Sequence, residues 1–202
     1  QKYVQTCDKC LLNKYSPRKP QGLLQPLEYP SSQPYQDIAT DFATDLPSSK
    51  SSYTGASFDA VQVLVDRLSR RVRLVPSRKS DTAEATARNF AENVFPFWGM
   101  PKSIVSDRDP KFVADFYQAL AKILGTRLRF TSSHNPQADG QSEKMVGVIS
   151  TMLRIFVNYN QNNWVEHLGL FEFAVNRHAS RARGELSPFM ITNGFNPFSV
   201  AD

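Results

Sequence analysis

The chain has 202 residues, of which 41% are hydrophobic and 21% charged, proportions that are typical of a folded globular domain. This composition excludes a wholly disordered chain, and no apolar run reaches the ~18 residues that a membrane-spanning helix needs. Lys and Arg number 24 against 19 Asp and Glu, a net charge of +5 that permits a polyanionic partner without requiring one. The chain begins at Gln1 and its first methionine is Met100, so we expect it to be part of a longer polypeptide.

A pair of cysteines lies near the start of the chain, in the sequence Cys7-Asp-Lys-Cys10. The two residues are too close in sequence to form a disulfide framework. A C-x-x-C pair supplies half of the ligands of a tetrahedral zinc site, but a redox pair or a chance pairing would look the same. The proline-rich, basic segment that follows predicts an extended linker. We therefore divide the chain into a short N-terminal element (1–12), a linker (13–33) and a folded domain (34–202).

The first half of the folded domain predicts three strands followed by a helix. Alternating or mixed apolar residues predict strands over 38–42, 58–65 and 71–75, which favours an antiparallel meander. Asp81 is predicted to be the N-cap of a helix that extends through Phe95, because Glu84 stands three residues later, as in a capping box.

The second half predicts alternating strands and helices. A strand over 103–106 leads to a helix over 111–124, which Gly125 closes, and to another strand over 126–130. A polar loop over 132–140 precedes a long helix over 141–159, whose apolar stripe consists of Met145, Ile149, Met152 and Phe156. Further helices are predicted over 164–176 and 188–191. This order indicates a mixed sheet covered by helices, in the α/β or α+β class.

Three carboxylates stand at the ends of predicted elements. Asp41 ends the first strand, Asp107 follows the strand over 103–106, and Glu143 opens the long helix. Ligands of α/β folds bind at such positions, and carboxylates without nearby His or Cys suit Mg²⁺ or Mn²⁺. Two such ions ~3.5–4 Å apart can clamp the attacking and leaving oxygens of an in-line phosphoryl transfer.

The residues alone do not single out this trio. Most of the 19 acidic residues must be solvated, and an Asp at a strand end is usually a cap or turn residue. Five other aspartates fit nearly as well, namely Asp37, Asp45, Asp59, Asp66 and Asp109. The helical period places four residues on one face, roughly opposite the apolar stripe and toward a polar cleft: Glu143, Gly147, Ser150 and Arg154.

Three segments resemble the integrases of gypsy-type LTR retrotransposons and, more distantly, retroviral integrases. They are IATDF (38–42), IVSDRDPKF (104–112) and HNPQADGQSEK (134–144), with 35 residues between Asp107 and Glu143. The resemblance covers nearly the whole chain. It implies an RNase H-like core, a five-stranded mixed sheet flanked by helices.

The resemblance also implies an activity and its residues. Asp41, Asp107 and Glu143 occupy the motif positions, where they would hold two Mg²⁺ or Mn²⁺ ions. The implied enzyme is a polynucleotidyl transferase and endonuclease, which processes the 3′ ends of retroelement DNA and transfers them into target DNA. Asp109 stands where many relatives carry glycine, so an additional carboxylate lies beside the site.

The resemblance further implies cofactors, partners and a location. Cys7 and Cys10 would hold structural zinc together with two upstream histidines, as the end of an HHCC-type zinc-binding domain. Double-stranded DNA of the element ends and of the target, a homo-oligomer, and host chromatin or transcription factors for targeting would be the partners. No membrane is implied. The protein would act in the nucleus after a cytoplasmic particle stage.

Basic and polar residues supply candidate DNA contacts. We expect the linker residues Lys14, Arg18 and Lys19 to contact phosphates, as Lys144 would beside Glu143, while Asn135 and Gln141 would reach bases or sugars. Another basic cluster fits DNA contacts and solvated surface equally well: Arg67, Arg70, Arg71, Arg73, Arg78 and Lys79. The alternative function is a non-catalytic DNA-binding or architectural module, either a domesticated integrase or an idle subunit of an integration complex.

Overall fold

The computed structural model describes residues 32–106, 110–125, 136–179 and 184–199, without the side chains of Pro110 and of residues 136–143. Its strands are β1 (Asp37–Ala43), β2 (Ser49–Lys50), β3 (Ser57–Phe58), β4 (Ala60–Asp66), β5 (Val72–Ser77) and β6 (Ser103–Ser106). Its helices are α1 (Ala83–Asn93), α2 (Phe95–Trp98), α3 (Pro110–Leu124), α4 (Pro136–Phe156), α5 (Trp164–Arg177) and α6 (Pro188–Asn193). Within these ranges, no helix combines the length and apolar character needed to cross a membrane.

The main sheet is mixed and has the strand order β5-β4-β1-β6. β4 pairs antiparallel with both β1 and β5, which confirms the predicted meander. β6 pairs parallel with β1. β2 and β3 form a separate small hairpin. The strand predicted over 126–130 lies outside the described residues.

Helices cover both faces of this sheet. On one face, Ile38 and Leu64 pack against α1 and α3 through Phe90, Phe116 and Leu120. On the other face, valines of β4 pack against α4 and α5, with these residues at the contact: Val61, Val63, Val65, Ile149, Leu153, Trp164, Leu168 and Phe171. Every residue of β4 is therefore buried. The predicted α/β architecture is confirmed.

The outer edge of β5 is covered by side chains of α5. The Asn176 side chain accepts from the Val72 N–H at 2.7 Å and donates to the Val72 carbonyl at 2.9 Å. Nearer the start of α5, Glu172 accepts from the Leu74 N–H at 3.0 Å. These bonds replace those of a neighbouring strand, so α5 protects a sheet edge that would otherwise be open to pairing.

The start of α1 differs from the prediction by one residue. Thr82 is the N-cap, and its hydroxyl accepts from the Ala85 N–H at 3.2 Å. Asp81 instead accepts from the Arg78 N–H at 2.8 Å, which closes the preceding turn. α1 ends at Asn93, so Phe95 belongs to the short α2 rather than to α1.

α4 begins earlier and ends earlier than predicted. Pro136 starts it, because a missing N–H costs little in the first turn of a helix, so the predicted polar loop is partly helical. Glu143 therefore lies at the eighth position of the helix and does not open it. In the apolar stripe, Ile149 is buried, but Phe156 is 56% exposed and Leu153 is buried in its place.

The cap assignment makes a testable prediction. We expect Thr82→Ala to lower the free energy of unfolding by about 1 kcal/mol, because the Ala85 N–H loses its side-chain acceptor. Urea denaturation measures this loss. The control is Ser80→Ala, which alters a nearby exposed hydroxyl and should leave stability unchanged. An equal loss in both variants would contradict the role of Thr82.

Candidate active site

The parallel pairing of β1 and β6 sets the residue before Asp41 beside the residue that precedes Asp107 in sequence. Thr40 pairs with Ser106 at the end of β6. Asp41 follows Thr40 in β1, and Asp107 follows Ser106 but lies outside the described residues. Carboxyl ends of neighbouring parallel strands meet at one edge of a sheet, where α/β folds bind their ligands.

Asp41 lies on the sheet face that α4 and α5 cover. Successive side chains of a strand point to opposite faces, so Asp41 shares a face with Ala39 and Ala43. Both alanines are buried, whereas Asp41 is only partly buried. Its Oδ1 accepts from the N–H of Phe42 at 2.7 Å. Asp41 is thus a partly exposed acid on the sheet face that α4 and α5 cover.

The helix that carries Glu143 packs over this face. Ile149 and Leu153 of α4 are buried in the same cluster as Ala43 and the β4 valines. The side chain of Glu143 is not described, so the convergence of Asp41, Asp107 and Glu143 stays a prediction. No group of three His, Cys, Asp or Glu side chains suited to a metal occurs in the described part, from which two of the three predicted ligands are missing.

Several competing aspartates have structural partners instead. Asp66 is fully buried, and its carboxylate accepts from the N–H groups of Tyr35 and Ser69, both at 2.9 Å. Asp59 accepts from the Lys79 N–H at 2.7 Å. These bonds tie down turns beside the strands, so these two acids are accounted for by the fold.

Two more of the competing aspartates also have partners within the fold. Asp37 accepts from the hydroxyl of Ser103 on β6. Asp45 lies 2.5 Å from the Lys79 ammonium, and this hydrogen bond lowers the pKa of Asp45 and raises the pKa of Lys79. Both groups are therefore charged at neutral pH, and both side chains are exposed. Asp109 lies outside the described residues.

The basic cluster around β5 serves mainly as internal cross-links. Arg71 donates to the Thr192 hydroxyl at 2.6 Å and to the Asn193 side chain at 2.8 Å, which ties α6 to the sheet. Arg73 forms an ion pair with Glu172 at 2.9 Å, and its guanidinium lies 4.2 Å from the ring centre of Phe97. Arg78 donates to a backbone carbonyl, that of Ser57, at 2.9 Å. These contacts favour a structural role over DNA binding.

Of the predicted DNA contacts, the structure describes one side chain. Lys144 is exposed on α4, next to Glu143 in sequence. The side chain of Gln141 is not described. The other predicted residues lie outside the described residues: Lys14, Arg18, Lys19 and Asn135. The predicted zinc ligands Cys7 and Cys10 lie outside them as well.

A groove beside the C-terminal half of α4 was not predicted. It has a volume of about 590 Å³, and we call it the α4 groove. The segment after β1, the helix and the connection to α5 line it through Thr44, Leu46, Pro47, Ser150, Leu153, Arg154, Val157, Asn158, Tyr159, Gln161 and Trp164. The helical period had placed Ser150 and Arg154 on the face of Glu143. The groove itself depends on segments about 110 residues apart, which no local pattern brings together.

Sequence comparison identifies related proteins. Residues 31–136, just over half of the chain, match the integrase core domain family. The Tf2-3 and Tf2-4 transposon polyproteins of Schizosaccharomyces pombe are each 36% identical over 197 residues. That alignment covers 98% of this chain and 14% of each polyprotein, so the chain spans a small part of these relatives.

Solved structures share the fold at low sequence identity. The catalytic core domain of HTLV-2 integrase, in a complex with magnesium, has a TM-score of 0.56 and 16% identity, covering 81% of this chain and 99% of that one. A chain in the structure of the simian T-cell lymphotropic virus intasome in complex with PP2A regulatory subunit B56 gamma has a TM-score of 0.63 and 17% identity, covering 100% of this chain and 69% of that one. The RNase H-like fold and the resemblance seen in the three motifs are confirmed. The chain therefore belongs to the integrase core domain family, as a relative of retrotransposon polyproteins.

Proposed function

We propose that this chain catalyses divalent-metal-dependent 3′-end processing and strand transfer of retroelement DNA. The observation that carries the proposal is the parallel register of β1 and β6, which sets Thr40, the residue before Asp41, beside Ser106, the residue before Asp107. α4, which contains Glu143, covers the face of the sheet on which Asp41 lies. The strand that leads to Asp107 and the helix that contains Glu143 thus both lie next to β1, which carries Asp41.

The donor chemistry of these positions fits Mg²⁺ or Mn²⁺. Carboxylate oxygens are the ligands that hard cations prefer, and Asp41 is a partly exposed residue. The core of HTLV-2 integrase, which shares the fold, is in a complex with magnesium. Asp41 would hold both of two ions, with Asp107 and Glu143 each completing one site. Such ions would activate the attacking oxygen and stabilise the charge that develops on the leaving oxygen.

In this mechanism the residues of the chain act by holding the carboxylates, and through them the cations, in fixed positions. Asp41 sits on a strand buried between two helical layers, so its carboxylate is held by a rigid element and needs little rearrangement. In the first step water cleaves a phosphodiester near the 3′ end of the element DNA. In the second, the freed 3′-OH attacks a phosphodiester of the target and displaces its 3′ oxygen. Each step breaks one P–O bond and forms one, without a covalent protein intermediate.

Further parts of the proposal follow from the relatives and the motifs. A homo-oligomer that engages both element ends is consistent with the fold shared with an intasome chain, whose assembly also contains the PP2A regulatory subunit B56 gamma. We extend the proposal to a host partner that directs targeting, to action in the nucleus, and to zinc bound by Cys7 and Cys10 in the longer protein.

A joining assay tests the activity. Duplexes that carry the terminal sequence of the element should be joined to a target plasmid in Mg²⁺ or Mn²⁺, and EDTA should abolish the products. Joining that persists in EDTA would overturn the metal mechanism. Intact DNA binding without joining in either metal would instead favour the alternative, a non-catalytic DNA-binding or architectural module.

A further inference from the structure

Within the described residues, β1 loses one of its two neighbouring strands just before Asp41. The pairing with β6 ends at Thr40, whereas the antiparallel pairing with β4 continues to Ala43. Asp41 therefore lies one residue beyond the last position at which β1 has a described strand on both sides. Because one neighbouring strand constrains a strand less than two do, the backbone at Asp41 depends on its contacts with β4.

Gln62 of β4 supplies such a contact. Its side-chain amide nitrogen donates to the hydroxyl of Thr40 at 3.2 Å. In the register of the two strands, Gln62 lies opposite Phe42 and not opposite Thr40, so this hydrogen bond crosses the ladder diagonally. The bond thus joins the residue before Asp41 to the residue that lies opposite the one after it, and it spans the Asp41 position.

The direction of the Asp41 carboxylate depends on both of its neighbours in the chain. Thr40 and Phe42 point to the sheet face that α1 and α3 cover, and Asp41 points to the other face, because successive side chains of a strand alternate. The Oδ1 of Asp41 accepts from the N–H of Phe42 at 2.7 Å. A bond that fixes Thr40 relative to β4 therefore fixes the peptide groups on either side of Asp41, and with them its carboxylate.

Packing around Thr40 is incomplete. Thr40 and Gln62 line a cavity of about 20 Å³ between the sheet and the helices α1 and α3. Side chains lose their dispersion contacts on the side that faces a void. Both residues are buried, so water does not compete for the hydrogen bond between them. This bond therefore holds Thr40 where the packing does not.

The stability of the core does not by itself explain a glutamine at position 62. Among the described residues, the Oε1 of Gln62 is buried and has no hydrogen-bond partner. Replacing such an amide by an apolar group of similar shape can be neutral or stabilising. Turning the amide over would exchange its two atoms but keep a bond to Thr40, whose hydroxyl can donate as well as accept. The glutamine is best explained by its bond to Thr40.

We propose that Gln62 is a positioning residue for Asp41, which acts through its hydrogen bond to Thr40. The bond fixes the end of β1 from the sheet face opposite to the carboxylate, so that Asp41 meets a divalent cation with little rearrangement. This inference rests on the proposed function for the role of Asp41. It adds a residue from outside the three motifs, one that is 2% exposed and so shielded from substrate.

A purely structural role for Gln62 makes a different prediction. If Gln62 only stabilises the core, Gln62→Met should lower the melting temperature and leave the Mn²⁺ affinity of the folded protein unchanged. Positioning instead predicts weaker Mn²⁺ binding by protein that is fully folded. The Mn²⁺ affinity, measured well below the melting transition, therefore separates the two roles.

The first test measures Mn²⁺ binding by the full chain, through the electron paramagnetic resonance signal of the free ion. The relevant site is the binding that Asp41→Asn removes. Gln62→Met keeps the length of the side chain without its amide, so it should weaken this binding about threefold to tenfold, as the loss of one hydrogen bond does. Leu64→Met is the matched control, because Leu64 is buried directly opposite Thr40 and its side chain forms no hydrogen bonds. Unchanged binding in Gln62→Met, or an equal loss in both variants, overturns the proposal.

The second test removes the other partner of the hydrogen bond. Thr40→Val nearly keeps the shape of the side chain but has no hydroxyl, so it should weaken Mn²⁺ binding as much as Gln62→Met does. Thr40→Ser keeps the hydroxyl and should retain the parental affinity. The double variant Thr40→Val/Gln62→Met should bind no more weakly than either single variant, because both changes remove the same bond. Losses that multiply in the double variant, or a Thr40→Ser protein as weak as Thr40→Val, contradict the proposal.

Joining assays distinguish a failure of this inference from a failure of the proposed function. Gln62→Met should need about threefold to tenfold more Mg²⁺ for half-maximal joining and should bind DNA as the parent does, because Gln62 is buried. If Gln62→Met matches the parent in Mn²⁺ binding and in joining while Asp41→Asn abolishes joining, the inference fails and the proposed function stands. If Asp41→Asn joins DNA at the parental rate, the proposed function fails at this residue and the inference fails with it.

Discussion

Asp41→Asn is expected to reduce strand transfer by about a thousandfold or more. The asparagine keeps the shape of the side chain but removes the charge that would hold both cations, and those cations supply several kcal/mol of transition-state stabilisation. DNA binding should be retained or slightly tighter, because one negative charge near the phosphates is gone. A joining assay in Mg²⁺ measures the first effect, and a binding titration measures the second.

Asp115→Asn is the matched control for this variant. Asp115 is an exposed acid on α3, on the other side of the sheet, so the same change of charge there should leave joining at the parental rate. Glu143→Gln should be as defective as Asp41→Asn, and the double variant should be little worse than either, because residues that act as a unit are not additive. Parental joining by Asp41→Asn would remove this residue from the mechanism.

The sequence predicted the sheet well because its strands carry a strong local pattern. Alternating valines marked β4, and the apolar segment before Asp107 marked β6. The predicted start of α4 was wrong by five residues. Asn135, Pro136 and Gly140 are typical of turns, although proline is also favoured in the first turn of a helix. The predicted N-cap of α1 was wrong by one residue, because Asp81 and Thr82 are both residue types that favour this position. The hydrogen bond from the Arg78 N–H occupies Asp81, so Thr82 caps the helix.

Long-range contacts limit how much of the candidate site can be predicted from the sequence. The motif spacing led to Asp41, Asp107 and Glu143, and the register of β1 and β6 supplies a physical reason for the first pair. The role of the arginines around β5 could not be predicted from the local sequence, because partners such as Glu172 lie about 100 residues away. A basic strand edge looks the same in sequence whether its cations meet phosphates or carboxylates.

The covered edge of β5 gives the largest expected effect on stability. Asn176 is 1% exposed, and its amide both accepts from and donates to the backbone of Val72. Asn176→Ala leaves a buried N–H and a buried carbonyl without these partners, at a cost of about 1–3 kcal/mol for each group that water does not reach. We expect a loss of about 2–4 kcal/mol in the free energy of unfolding, a large fraction of the ~5–15 kcal/mol typical of a domain.

Two further variants test whether the loss of the Asn176 amide causes this loss of stability. Asn176→Asp keeps an acceptor for the Val72 N–H but sets a carboxylate oxygen against the Val72 carbonyl, so it should be at least as destabilising as Asn176→Ala. Asn160→Ala, at an exposed position, should change stability by less than about 0.5 kcal/mol. Urea denaturation provides the comparison. Because the Val72 backbone groups at the β5 edge are then unpaired, light scattering of Asn176→Ala should also show association that rises with protein concentration. An Asn176→Ala protein as stable as Asn160→Ala would show that α5 does not protect this edge through the amide.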